Sequence, residues 1–181
     1  NFPTFNLGSE KTSGVDFNTA YGFNLGDLAS GLEDAGSWTT SLTVTYLDSF
    51  STDPGLVGTS ESETAGTLSL PHWRGVVRGT YAVGRTSVTT TLQYIGALYV
   101  DKTLGLDLPG NKVPSEWYVN LHAAYDVIPS VELYVGINNL FDNQPPPIYP
   151  GSGYDTTGTG TDASTYDVIG RFWYTGINFK M

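Results

Sequence analysis

The side chains at the end of the chain alternate between two kinds, and this pattern constrains the fold more than any other feature. Between Trp173 and Met181, the odd positions carry tryptophan, threonine, isoleucine, phenylalanine and methionine, whereas the even positions carry tyrosine, glycine, asparagine and lysine. Successive side chains of a β-strand point to opposite faces of its sheet, so the segment is predicted to be a strand with one apolar face. Alternation over about ten residues is typical of one strand of a transmembrane β-barrel.

Six earlier segments alternate in a similar way, so the sequence predicts seven strands and an all-β, antiparallel fold. They lie at 5–24, 38–46, 73–83, 88–98, 117–127 and 131–137. The composition agrees, because the chain has 12 tyrosines and 22 glycines but only 14% charged residues, which suits strands joined by turns. No apolar run approaches the roughly 18 residues that a transmembrane helix needs.

The links between the predicted strands alternate between short or modest ones and long ones. The former lie at 25–36, 84–85 and 128–130, and the long ones at 51–69, 101–114 and 142–165. Outer-membrane barrels have this asymmetry, with short periplasmic turns and longer extracellular loops, whereas a soluble sandwich has no reason for it. The last loop is rich in threonine, glycine and aspartate, and we expect little core of its own there.

Two motifs near the end of the chain resemble TonB-dependent outer-membrane transporters. The first is Gly136-Ile-Asn-Asn-Leu-Phe-Asp-Asn-Gln-Pro-Pro146, which is similar to the family's hairpin GxNNLFD(N/K)xPP. The second is Tyr166-Asp-Val-Ile-Gly-Arg-Phe-Trp-Tyr-Thr-Gly-Ile-Asn-Phe-Lys-Met181, which is similar to its last strand, YDxxGRxFxxGxxxKF. Weaker similarity to the family lies at 12–17 and 71–74.

This resemblance implies a segment of a transmembrane barrel rather than a closed one. An open seven-stranded sheet cannot span lipid alone, and bacterial single-chain barrels have even strand numbers. Barrels of this family close with about 22 strands around a plug. Residues 1–181 would then be the C-terminal part of such a barrel, with the plug and the N-terminal strands on another polypeptide or elsewhere in the precursor.

The function implied by the resemblance is uptake of a scarce ligand across the outer membrane of a Gram-negative bacterium. The chain would supply wall strands and extracellular loops, and the ligand would be a siderophore, cobalamin, a saccharide or a peptide. The implied partners are the rest of the barrel and the plug, the TonB complex acting through that plug, and outer-membrane lipid and lipopolysaccharide. Neither a cofactor nor chemistry on the ligand is expected.

Polar residues on the predicted inward face are candidates for contact with a ligand. Arg74 and Arg78 lie four residues apart on the same face of one strand and could hold an anion, although pairing with acidic residues of the lumen or plug is the simpler interpretation. His122 points inward and could contact a ligand or the plug, although a hydrogen-bonded lumen histidine without a special role is the simpler interpretation. The full candidate set is Arg74, Arg78, Gln93, Tyr118 and His122.

Large aromatic residues share the parity of the aliphatic ones and lie near strand ends. They predict a girdle at the membrane interface, with core packing in a soluble protein as the alternative. The predicted girdle comprises Trp38, Trp73, Tyr81, Tyr94, Trp117, Tyr125 and Trp173. Phe179 and Met181 take the place of the family's C-terminal assembly signal, although the last residue of the family is usually aromatic.

Composition argues against several other functions. The formal net charge of −10 disfavours nucleic-acid binding, which depends on cationic contacts to phosphate. The chain has no cysteine, and its two histidines form no recognisable zinc pattern. We find no calcium-loop spacing and no catalytic motif. Two rival interpretations stay open at this point: a complete small outer-membrane barrel acting as a pore or adhesin, and a soluble secreted β-sandwich acting as a binding module.

Overall fold

The computed structural model describes residues 8–104, 107–149, 152–155 and 158–180. Its strands, in chain order, are β1 Ser9–Asn24, β2 Ser37–Asp53, β3 Ser62–Glu63, β4 Trp73–Val83, β5 Thr86–Ile95, β6 Leu98–Tyr99, β7 Lys112–Val113, β8 Glu116–Ile128, β9 Val131–Asn138 and β10 Phe172–Phe179. Seven long strands form one antiparallel sheet in the order β1-β2-β4-β5-β8-β9-β10. The short β3 pairs with β2, and β6 pairs with β7 in a separate hairpin.

The all-β antiparallel prediction is therefore confirmed, and each long strand pairs with the long strands before and after it in the chain. A single turn of 3-10 helix, Leu25–Asp27, follows β1. Within the described residues, no helix is long and apolar enough to cross a membrane.

Some strand boundaries differ from the sequence prediction. β2 continues to Asp53 rather than ending at Tyr46, because β1 stays paired with it up to Ser9. Leu98 leaves the fourth long strand and joins the β6–β7 hairpin. Two predictions fall outside the described residues. They concern the first residues of the predicted first strand, including Phe5, and Met181 as part of the assembly signal.

The register places mainly apolar residues beside one another on one face and mainly polar residues on the other, so the sheet has two chemically different faces. Val77 stands between Leu42 and Leu92, whereas Arg78 stands between Ser41 and Thr91. The apolar face carries Val15, Phe17, Leu42, Val44, Val77, Val88, Leu92, Val119, Leu121, Val135 and Ile177. The polar face carries Asp16, Asn18, Thr43, Arg78, Thr80, Thr91, Gln93, Asn120, His122, Tyr134 and Asn178.

The buried hydrophobic cluster lies among the long loops rather than within the sheet. The three loops, 54–72, 96–115 and 139–171, leave the same end of the sheet, opposite the short turns. Their shared cluster, the loop core, consists of Leu68, Ile95, Leu98, Val100, Val113, Tyr118, Ile148 and Tyr166. Ile95 and Tyr118 have the parity of the polar face, so the loops fold over that face.

Backbone and side-chain hydrogen bonds join the three loops into one unit. Leu68 N–H donates to the carbonyl of Tyr99 at 3.1 Å, and Tyr99 N–H donates to that of Gly66 at 2.9 Å. The amide of Ser69 donates to Thr165 Oγ1 at 2.8 Å, which ties the first loop to the third. The ammonium of Lys102 also donates to the carbonyl of Ala65. Because the apolar residues are scattered over three segments, no pattern within a single segment predicts this core.

Asp162 links the third loop to the first through a chain of hydrogen bonds. Its carboxylate accepts the hydroxyl of Thr165 at 2.6 Å and the hydroxyl of Ser164 at 2.8 Å. Burial disfavours the charged form of Asp162, but these hydrogen bonds outweigh it and hold its pKa below the ordinary value. The ionised carboxylate therefore stabilises the loop unit.

We expect this stabilisation to depend on pH. Because the folded-state pKa is lowered, the contribution is present above the ordinary aspartate pKa of about 3.9 and is lost as pH falls through the folded-state pKa. Hydrogen exchange of the Tyr166 segment, normalised to an unstructured peptide, should speed up as pH falls below about 4. Asp162→Ala should give fast exchange already at pH 7, with Asp155→Ala as the control. Equal exchange in the two variants would contradict the role of Asp162.

Candidate functional site

A cavity of about 370 Å³ opens on the polar face of the sheet. The strand register brings its walls together in rows: Arg78 stands next to Thr91, which stands next to Asn120. The neighbouring row runs from Thr89 through His122 and Gly136. The lining residues are Arg78, Thr89, Thr91, Gln93, Asn120, Leu121, His122, Asn138 and Tyr174. The lining is mainly of neutral hydrogen-bonding groups around one guanidinium.

His122 sits in an aromatic cluster at one side of the cavity. Its Nδ1 lies 3.3 Å from the hydroxyl of Tyr174, and its ring centroid lies 5.5 Å from that of Tyr134. Both tyrosine rings lie across glycines of the neighbouring strand. A Cβ at Gly136 would fall 2.2 Å from Cζ of Tyr174, and one at Gly176 would fall 2.2 Å from the hydroxyl of Tyr134. These two glycines leave room for the rings that flank the histidine.

The five ligand-contact candidates divide into two groups in the structure. Arg78, Gln93 and His122 line the cavity together. Arg74 instead directs Nη2 to the carbonyl of Ser69 at 3.2 Å, and Tyr118 is buried in the loop core with 2% exposure. The two arginines therefore do not converge on one group.

Sequence reasoning did not select several other cavity residues. They are Thr89, Thr91, Asn120, Leu121, Asn138 and Tyr174. Most of them share the inward parity of Gln93 or His122, which was the available signal. Their convergence depends on the register between strands, which alternation within each strand does not specify.

The Asn-Asn-Leu-Phe-Asp-Asn motif starts at the last residue of β9 and forms a hydrogen-bonded turn that begins the third loop. Asn139 is fully buried with a φ of 50°. Its Oδ1 accepts the backbone N–H of Asn143 at 2.9 Å, and its Nδ2 donates to the carbonyl of Asn143 at 2.9 Å. Its own N–H donates to Oδ1 of Asn120 at 2.8 Å, which couples the turn to the cavity wall.

Asp142, in the same motif, connects the turn to the last strand. Its Oδ1 accepts the backbone N–H of Arg171 at 2.9 Å, and its Oδ2 lies 3.9 Å from Nη2 of that arginine. Gly170, with a φ of 76°, makes the bend that brings the two groups together. The two C-terminal motifs that resemble the family therefore contact each other through Asp142 and Arg171.

The sequence from residue 1 to residue 140 matches a family model described as TonB dependent receptor-like, beta-barrel. The chain belongs to this family. No curated protein and no solved structure matches it. The matched range includes every long strand of the sheet except β10 and ends inside the Asn-Asn-Leu-Phe motif.

Membership of this family indicates what each face of the sheet contacts. TonB-dependent receptors are transporters, the family implies an outer-membrane location, and the full receptor includes a plug and interacts with TonB. In barrels of this kind the apolar face contacts lipid and the polar face lines the interior. The cavity therefore corresponds to the lumen wall, and the loop core corresponds to loops folded inward over the barrel mouth.

The predicted girdle residues occupy two levels of the apolar face. At the loop end, the ring centroids of Tyr46 and Trp73 are 4.6 Å apart, and those of Tyr94 and Trp117 are 4.3 Å apart. Trp173 opposes Ile137 at the same end, whereas Trp38, Tyr81 and Tyr125 lie near the short turns. Trp73 and Tyr81 are eight residues apart, which is about 27 Å along a strand. With a tilt of about 40°, the levels would be roughly 20 Å apart, close to the apolar band of outer-membrane barrels.

Ionic contacts at the short-turn end hold β10 to its neighbours. Lys180 Nζ lies 2.7 Å from Oδ1 of Asp126 and 3.1 Å from Oε2 of Glu132. Asn178 also donates to Glu132 at 2.9 Å. Phe179, one of the two predicted assembly-signal residues, is 74% exposed. Its role in assembly stays a prediction.

Proposed function

We propose that this chain forms about a third of the wall of a TonB-dependent transporter in the outer membrane of a Gram-negative bacterium. The observation that carries the proposal is a single antiparallel sheet with one apolar face, one polar face and loops packed over the polar face. Large apolar side chains remain exposed on the first of these faces, among them Val15, Phe17 and Ile177 at 54–66%. A surface of this kind suits lipid rather than water.

The unpaired edges of the sheet support the proposal that further strands pair with this chain. Among the described residues, β1 pairs only with β2, and β10 pairs only with β9. A backbone N–H or C=O left unpaired in lipid costs several kcal/mol, so both edges require partner strands in the membrane. About fifteen further strands and the plug would lie on another polypeptide or on another part of the same precursor.

In this role the chain binds and guides a ligand without changing it chemically. The inward loops and the polar face contact a siderophore, cobalamin, saccharide or peptide, and TonB acts on the plug to let it pass. The three cavity residues Arg78, Gln93 and His122 are the proposed contacts, and Arg74 and Tyr118 position the loops above them. The apolar face and its aromatic levels contact lipid and lipopolysaccharide.

The composition of the native particle tests this proposal. Outer membranes are extracted in detergent, the particle is purified through an affinity tag on this chain, and every co-eluting polypeptide is identified by denaturing mass spectrometry. A plug-bearing companion, or a longer chain that includes a plug, is the expected result. A monodisperse 19.5 kDa species folded alone would overturn the proposal and favour a small barrel or a soluble binding module.

A further inference from the structure

We propose that Arg78 and the neutral groups around it form a binding site for a carboxylate group in the barrel lumen. The carboxylate would be carried either by the plug or by a solute on its way through the barrel. The inference rests on the proposed function, because only a receptor with a lumen presents these two sources. It adds the chemistry that the site would select.

Arg78 is the unpaired cation of the cavity. The ion pairs between described residues involve Lys11, Arg171 and Lys180, and none involves Arg78. Among the described lining residues there is no carboxylate to neutralise it. Asp16, an acid on the same face of the sheet, lies on β1, two strands away from β4 where Arg78 lies, and accepts a hydrogen bond from Thr45 at 2.7 Å. A guanidinium on a concave wall without an acidic neighbour favours an incoming anion.

The neighbours of Arg78 offer further donors. Oδ1 of Asn120 accepts the N–H of Asn139 at 2.8 Å, so its amide nitrogen, a donor, is the polar atom left for the cavity. The hydroxyl of Thr91 and the amide of Gln93 lie in the same wall. Donors around a guanidinium satisfy the several lone pairs of a carboxylate.

The charge of the site favours a carboxylate over a phosphate. A phosphate group at pH 7 carries up to two negative charges and is commonly held by more than one cation. The second arginine of the strand, Arg74, is turned away to the carbonyl of Ser69. One guanidinium with neutral donors matches a single negative charge.

The loop core covers the outer side of the site. On β5, Ile95 follows Gln93 at the next position of the same face, and on β8 Tyr118 precedes Asn120 in the same way. Both Ile95 and Tyr118 are members of the loop core. This apolar roof lowers the local dielectric and strengthens attraction between Arg78 and an anion.

The test uses the complete receptor in detergent and two matched substitutions. Arg78→Lys keeps the charge and introduces an amine that a water-soluble carbodiimide couples to any carboxylate in contact with it. Arg85→Lys is the control, because Arg85 lies in a short turn and donates to the carbonyl of Val127 at 3.1 Å. Peptide mass spectrometry then identifies the coupled partner. In parallel, calorimetry measures the binding of acetate, a monocarboxylate, to the unchanged receptor and to Arg78→Gln.

Each outcome has a defined meaning. A cross-link from position 78 to a plug peptide, absent for Arg85→Lys, supports the site with the plug as its source. Acetate binding that weakens about tenfold or more in Arg78→Gln supports the site with a solute as the source. If neither variant folds, modification of the unchanged receptor by phenylglyoxal replaces them. We then expect Arg78 to react more slowly in the presence of acetate, or about tenfold more slowly than Arg85.

A plug-bearing receptor that gives neither the cross-link nor Arg78-dependent acetate binding overturns the carboxylate site and leaves the transporter proposal intact. Equal rates of phenylglyoxal modification at the two arginines, unaffected by acetate, would do the same. A particle without a plug overturns the transporter proposal itself, whatever happens at Arg78.

Discussion

Replacing Gly36 by alanine is expected to lower the free energy of unfolding of the assembled receptor by about 3 kcal/mol or more, because two separate costs add. The residue has a φ of 90°, which disfavours any residue with a Cβ. A Cβ there would also fall 2.1 Å from the carbonyl oxygen of Ala82, and a backbone atom cannot move aside cheaply. The clash lies at the entry to β2, where Gly36 accepts the N–H of Leu25 at 2.9 Å.

Gly31→Ala separates the two costs. Gly31 has a φ of 94° in the same connection, but nothing lies within 4 Å of a Cβ built there. We expect this control to lose only about 1–2 kcal/mol, the cost of the backbone conformation alone. Urea unfolding of the receptor in lipid vesicles, followed by tryptophan fluorescence, measures both variants. Equal losses would show that the contact with Ala82 relaxes and that only the φ angle matters.

Replacing Asn139 by alanine is expected to lower the free energy of unfolding by about 3 kcal/mol, because both hydrogen bonds of a buried amide are lost. It should also release the third loop from the sheet. The backbone N–H and carbonyl of Asn143 would lose their partner in the turn. Alanine would also be less favourable than asparagine at a φ of 50°. The Asp142–Arg171 contact depends on this turn, so β10 should loosen as well.

Asn138→Ala is the matched control, because Asn138 is the same residue type, adjacent in sequence, with ordinary strand geometry on the cavity wall. We expect its free energy of unfolding to change by no more than about 0.5–1 kcal/mol. Asn139→Gly, which tolerates the backbone conformation but lacks the amide, should lie between the two. Hydrogen exchange over 139–144 and 170–179 would report the loosening directly. Unchanged exchange in Asn139→Ala would refute the turn as the link between the motif and the last strand.

Alternation within single strands determined much of this protein. The parity of Trp117, Val119 and Leu121 against Tyr118, Asn120 and His122 was enough to predict which side chains share a face. The contrast of short and long links was enough to predict that the three long loops leave one end. These features are local, because a β-strand repeats every two residues and a turn is encoded by the few residues that form it.

The content of the cavity was decided by tertiary structure. Parity placed Arg74 and Arg78 on one face, but only the folded loops show that Arg74 binds Ser69 whereas Arg78 faces the cavity. Likewise, Tyr118 has the parity of a lumen residue and is instead covered by Tyr166 and its neighbours. The residues that make these contacts are far apart in sequence, so a pattern read along one strand carries no information about them.

The loop core shows the same division most clearly. Its members come from three loops and two strand ends, and no segment among them has a period that predicts burial. Burial there results from the sheet, which fixes the loop bases side by side and so reduces the entropy cost of bringing distant apolar residues together. The sequence by itself determined the strands, their two faces and the family. The tertiary structure decided which loop residues meet, and hence which polar groups stay open to the lumen, because those contacts depend on register and loop closure between strands.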